Sequence, residues 1–161
     1  MNGRGIFRLG AKALHEIGGI AFGGALLACL VINLAADRAA AAEFAAARQL
    51  FAAIARYVLI PSMGLVVVSG LFALAATRGY MGARWAWVKA LLGLGLFEAT
   101  LLVVGSSTRH DELAGAIAAG NAAVVESLLR AERWTLLLLL AIGVVNVLLA
   151  VFRPRLGARS G

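Results

Sequence analysis

The stretch WTLLLLLAIGVVNVLLAVF, residues 134–152, carries no charged side chain. Its length is close to the ~20 apolar residues that take a helix across the hydrocarbon core of a bilayer. Basic residues follow it, at Arg153, Arg155 and Arg159. Three further runs read the same way, at residues 13–35, 57–77 and 87–106. In lipid the backbone N–H and C=O groups must be bonded within the segment, so each run is predicted to be a helix. The expected fold is all-α: a single integral membrane domain over residues 1–161, built as a four-transmembrane-helix bundle.

The composition agrees. Hydrophobic residues make up 62% of the chain and charged residues 14%, against about 45–50% and about 25% in a soluble domain. One small core cannot hide that much apolar surface, so lipid is the expected solvent. The lone Cys29 lies inside the first run and cannot form an intrachain disulfide; it reads as a small packing residue. A cleaved signal peptide is the alternative for the first run. Its apolar stretch is too long for that, and it carries His15, Glu16 and Asn33.

Charge sets the orientation. With the N-terminus inside, the cytoplasmic pieces hold Arg4, Arg8, Lys12, Arg78, Arg84, Lys89, Arg153, Arg155 and Arg159. The two outer loops hold Arg38, Arg48, Arg56, Arg109, Arg130 and Arg133, offset by Asp37, Glu43, Asp111, Glu112, Glu126 and Glu132. Nine basic residues inside against six outside satisfy the positive-inside rule, and both termini are expected in the cytoplasm. The net charge of +7 is thereby explained by membrane lipids as partners, not by nucleic acid. Trp85, Trp87, Trp134 and Tyr57 stand where spans begin and read as interface anchors.

The outer loops are expected to form amphipathic helical segments on the outer surface, continuous with the spans that follow. In Asp37–Arg56, Asp37 is a candidate N-cap, and Phe44, Phe51, Ile54 and Val58 share one side. In Asp111–Arg133, Leu113, Ile117, Val124 and Leu128 form an apolar stripe, and Glu126 and Arg130 have ion-pair spacing. Gly120-Asn121 is the expected break.

Ionisable residues inside a membrane are expensive, so each is a functional candidate. Glu98 lies roughly 16 Å beyond Trp87 at 1.5 Å per residue. Asn146 and Ser69 lie at matching depths in their own spans, counted from Trp134 and Tyr57. A midplane polar cluster of Glu98, Asn146 and Ser69 is therefore predicted, either as interhelical glue or as a proton- or substrate-handling site. His15, Glu16 and Lys12 sit at the cytoplasmic end of the first span, as an ion pair between Lys12 and Glu16 or as a ligand site at His15. The only other histidine, His110, lies in the second outer loop, so the two cannot jointly ligate one haem. Gly19, Gly23, Gly24 and Ala28 have small-xxx-small spacing and predict a tight helix-packing face. No metal site and no catalytic set is visible.

Several short motifs resemble those of CopD-like bacterial membrane proteins and of a related four-helix integral-membrane family, a domain of unknown function. Leu14-His15-Glu16-Ile17-Gly18-Gly19 is similar to their Leu-His-x-x-Gly. Ser69-Gly70-Leu71 is similar to Ser/Thr-Gly-Leu, and Thr77–Gly82 with Lys89 to Thr-x-Tyr-Gly followed by Lys. Trp134, Asn146 and Phe152-Arg153-Pro154 resemble the closing helix of the uncharacterised family. The resemblance implies a cell inner membrane protein and, through CopD, copper handling with His15 as the residue to carry over. The resulting expectation is a non-enzymatic membrane component or partner subunit with no cofactor, associating with another membrane protein or with itself. The alternative is proton, copper or haem b handling through His15 and Glu98.

Overall fold

The structure, a computed structural model, describes residues 3–36, 40–76, 84–103 and 107–152. Its elements are helical: α1 (Gly3–Ala35), α2 (Ala41–Ile54), a π-helical turn (Ala55–Leu59), α3 (Ile60–Ala76), α4 (Arg84–Val103), α5 (Ser107–Ala118) and α6 (Ala122–Phe152). Among the described residues, three helices are long and apolar enough to cross a membrane: Leu9–Ala35, the continuous rod Ala41–Ala76, and Ala122–Phe152. Their outward faces are apolar, with Ile20, Val31, Phe72, Leu138 and Val147 all more than half exposed. Apolar patches of that extent belong in lipid, and the protein is membrane-embedded.

The helices close into a ring. α1 packs along α3 and α6, and α4 packs between α3 and α6. Side chains give the directions. His15 reaches Ser69 at one end of α1, and Asn33 reaches Leu129 at the other. α1 therefore runs opposite to both α3 and α6. One core threads the ring, built from Phe22, Leu26 and Cys29 of α1, Phe51, Leu59 and Met63 of the rod, Leu96 of α4, and Leu136 and Leu139 of α6. Cys29 is free and buried, as a packing residue should be.

The inward stripe of α1 is Gly18, Phe22, Ala25, Leu26, Cys29 and Asn33, spaced by the helical repeat. Among the described glycines of α1, Gly18 alone makes a close approach. A Cβ there would lie 3.0 Å from Val66 Cγ2 and 3.2 Å from the Ser62 carbonyl oxygen. The expected packing face of Gly19, Gly23, Gly24 and Ala28 is not the one used. Gly19 and Gly24 are exposed, Gly23 and Ala28 half-buried, and a Cβ at any of the three glycines would meet open space. Small residues allow close packing but do not direct a helix face inward. Here the polar residues do so, because they must leave the lipid.

The end of α1 matches its apolar run at Ala35, but the starts of α1 and α6 lie well before theirs. An apolar run marks what lies in lipid, whereas a helix continues through any good helix former. The Ala-rich stretch after Ala40 therefore joins the second span. The rod has 36 residues, about 54 Å at 1.5 Å per residue, well beyond the ~30 Å hydrocarbon core. The N-cap of α2 is Ala40, with no side-chain hydrogen bond; Asp37, the expected cap, lies outside the described residues. Phe44 and Phe51 are buried as expected, Ile54 is half-buried, and Val58 is exposed. The π turn explains the departure. Its wider turn rotates less per residue, so Ala55 and Leu59 continue the buried line and Val58 falls off it.

The break at Gly120-Asn121 forms as expected. Gly120 has φ +64°, a left-handed conformation that glycine adopts without penalty. The Asn121 N–H bonds the Ala116 carbonyl at 3.0 Å, and the Asn121 Oδ1 accepts from the Val124 N–H at 3.2 Å, opening α6. Leu113 and Leu129 bury against Phe44 in a small second core, while Ile117 and Val124 of the expected stripe are exposed. Arg130 and Glu126 form the expected pair at 3.7 Å.

Candidate functional site around His15

Two polar centres lie inside the ring, one near each end of α1. The first is built on His15, which shares the inward face of α1 one turn before Gly18. Its Nδ1 lies 3.0 Å from the Val66 carbonyl oxygen and 3.1 Å from Ser69 Oγ. A carbonyl oxygen can only accept, so Nδ1 carries the hydrogen. The Ser69 hydroxyl donates to the Leu65 carbonyl at 2.6 Å, leaving its oxygen free to accept from the ring. In the neutral imidazole, Nε2 then holds a lone pair, and it makes no hydrogen bond among the described residues. A ring nitrogen donated to a backbone carbonyl is the usual way a protein orients a histidine whose other nitrogen takes a ligand or proton.

Gly70 makes room for this ring. A Cβ at Gly70 would stand 3.3 Å from His15 Cε1. Lys89 of α4 is half-buried, and its charge and that of Glu16 both act on His15. One turn further along α4, Gly93 faces Asn146 of α6; a Cβ there would lie 3.7 Å from Asn146 Nδ2. The Asn146 Oδ1 is buried without a hydrogen-bond partner. Such an orphan acceptor calls for a water or ligand donor. All four long helices thus bring a polar residue or a supporting glycine toward the His15 half of the bundle.

The predicted cluster of Glu98, Asn146 and Ser69 does not form. Ser69 bonds His15, Asn146 lies by Gly93, and Glu98 is exposed. No hydrogen bond joins the three among the described residues. The reason is directional. The depth of Glu98 counts from the Trp87 end of the bundle, and those of Asn146 and Ser69 count from the opposite end. Gly93, which marks the level of Asn146, precedes Glu98 by five residues, or about 7.5 Å and some 140° of helix rotation. Lys12 and Glu16 are both exposed and form no ion pair among the described residues; Glu16 instead acts on Lys89. His110 belongs to α5, with its side chain outside the described residues, as are Thr77–Gly82, Arg153 and Pro154.

The second centre was not anticipated. Asn33 is buried, donates from Nδ2 to the Leu129 carbonyl at 3.2 Å, and accepts at Oδ1 from Arg133 Nε at 3.1 Å. Arg48 meets Glu132 through two 3.0 Å contacts, Nη1 to Oε1 and Nη2 to Oε2, and its guanidinium lies 4.4 Å from the Phe51 ring centroid. This end reads as a clamp holding α1, α2 and α6 together.

The remaining buried hydroxyls satisfy themselves. Ser62 donates to the Leu59 carbonyl at 3.0 Å and Thr100 to the Leu96 carbonyl at 2.7 Å, the usual back-bonding of hydroxyls inside helices. Among the described residues, no group of three or more His, Cys, Asp or Glu side chains could hold a metal ion. No family model, no curated protein and no solved structure matches this chain.

Proposed function

We propose that this chain is a four-span protein of a bacterial inner membrane, with both termini cytoplasmic, serving as a non-enzymatic membrane component or partner subunit. The observation that carries the reading is the division of labour among its polar groups. The clamp at Asn33, Arg48, Glu132 and Arg133 joins helices, and the buried hydroxyls are closed on their own backbones. The fourth crossing is supported by direction. The rod and α6 run the same way, and α4 packs between them, which supports reading it as the returning span. Membrane lipids are the surrounding partners, with headgroups for the basic ends. A reporter fused after Gly161 is expected to be active only in the cytoplasm, and one inserted at Gly120 only outside. The reverse pattern would refute the orientation.

A second reading is favoured by the oriented His15 ring: handling of a proton, copper or haem b through Nε2. Kinship with CopD-like proteins belongs to this reading. It is supported by the meeting of two resemblance motifs, His15 of the first with Ser69 and Gly70 of the second. Protein purified in lipid should then show Soret absorption or bound copper that disappears in His15→Ala. A colourless, metal-free wild type would reject its metal forms.

A further inference from the structure

Along α4, Ala86, Gly93, Leu96 and Thr100 are buried, and the opposite face, through Leu91, Leu94, Gly95, Glu98 and Leu101, is exposed. Between Leu91 and Leu101, Glu98 is the one ionisable group on that exposed line. It stands fourteen residues beyond Arg84, roughly 21 Å along the helix. Lys89, the cation nearest to it on α4, is nine residues back, about 13.5 Å away along the axis, and is half-buried. A carboxyl group facing hydrocarbon alone is strongly disfavoured, so this face is incomplete as it stands.

We propose that a second copy of this chain completes it, with α4 packed against α4 and Glu98 of each copy hydrogen-bonded to Glu98 of the other. The proposal rests on the reading of α4 as a membrane-crossing helix. In its acid form a carboxyl donates one hydrogen bond and accepts one, so two such groups facing each other leave neither unpaired. A two-fold axis normal to the membrane places every residue opposite its own counterpart at the same depth. A different membrane protein would need a polar side chain of its own at that depth; a second copy brings one by symmetry. Gly95, next to the seam, has open space beyond its Cα and lets two helices approach closely.

The test uses the full chain in membranes, with the buried Cys29 replaced by alanine and single cysteines introduced at Leu91, Leu94 or, as a control on α6, Val147. Mild oxidation should give disulfide-linked dimers at positions 91 and 94 and not at 147. Adding Glu98→Leu should lower the cross-linked fraction about tenfold, and Glu98→Gln, whose amide also donates and accepts, should preserve it. Absence of dimers at 91 and 94, equal cross-linking at 147, or indifference to Glu98→Leu would overturn the proposal. The underlying reading is checked separately with Glu98→Cys and a water-soluble maleimide. Slow labelling without cross-linking at 91 and 94 removes the dimer alone, whereas rapid labelling removes the membrane crossing of α4 and the dimer with it.

Discussion

Glu132→Ala should destabilise the bundle by about 3 kcal/mol, because removing one partner of a buried ion pair leaves the other charge uncompensated. Both side chains of the Arg48–Glu132 pair are about 15% exposed, at 14% and 15%, so the guanidinium could recover little hydration once the carboxylate is gone. Arg48→Ala should be comparably harmful, since it also removes the stacking on Phe51. The double variant Arg48→Met/Glu132→Leu should recover most of the loss, because an apolar pair of similar volume has no charge to desolvate. Thermal unfolding of the four proteins in one detergent measures the effects. Purely additive losses in the double variant would show that the pair is a solvated surface contact and not a clamp.

Gly18→Leu should cost about 3 kcal/mol through overpacking. A Cβ already meets Val66 Cγ2 at 3.0 Å and the Ser62 carbonyl at 3.2 Å, and the carbonyl is fixed in the backbone of α3. Leucine adds three more carbons, so α1 and α3 must part. The His15 contacts with Val66 and Ser69, one turn away, should loosen with them. Gly19→Leu is the control: its side chain enters open space, and its melting temperature should equal that of wild type. Equal melting of Gly18→Leu and Gly19→Leu would mean that α1 and α3 are not in close contact.

Much of the fold was legible in the sequence because lipid selects on a simple property. A long apolar run has few alternatives to a helix, and the end of α1 at Ala35 followed from where its run stops. The break at Gly120-Asn121 was legible for a local reason, the left-handed backbone that glycine accepts. The inward face of α1 could have been read and was not. His15 and Asn33 are eighteen residues apart, five full turns at 3.6 residues per turn, so two polar residues mark one side. Glycine spacing pointed to a different side and carried no such compulsion. The pairings of Arg48 with Glu132 and of His15 with Ser69 depend on which helices become neighbours, and residue spacing within a helix is silent on that. Glu98 shows the same gap: its depth could be counted, but its direction could not.

The widened turn at Ala55–Leu59 has a consequence for how chains of this design tolerate changes in length. A π turn is what one extra residue looks like when an α-helix absorbs it without rotating the segments on either side. Losing one residue there should return the rod to a regular α-helix, with Arg48 still facing Glu132 and Ser69 still facing His15. The same loss in Ile60–Val68 would turn everything after it by about 100° relative to what precedes it and carry Ser69 away from the imidazole. Descendants of a common ancestor that differ from this chain by a single-residue gap in the rod should therefore have that gap between Ala55 and Leu59.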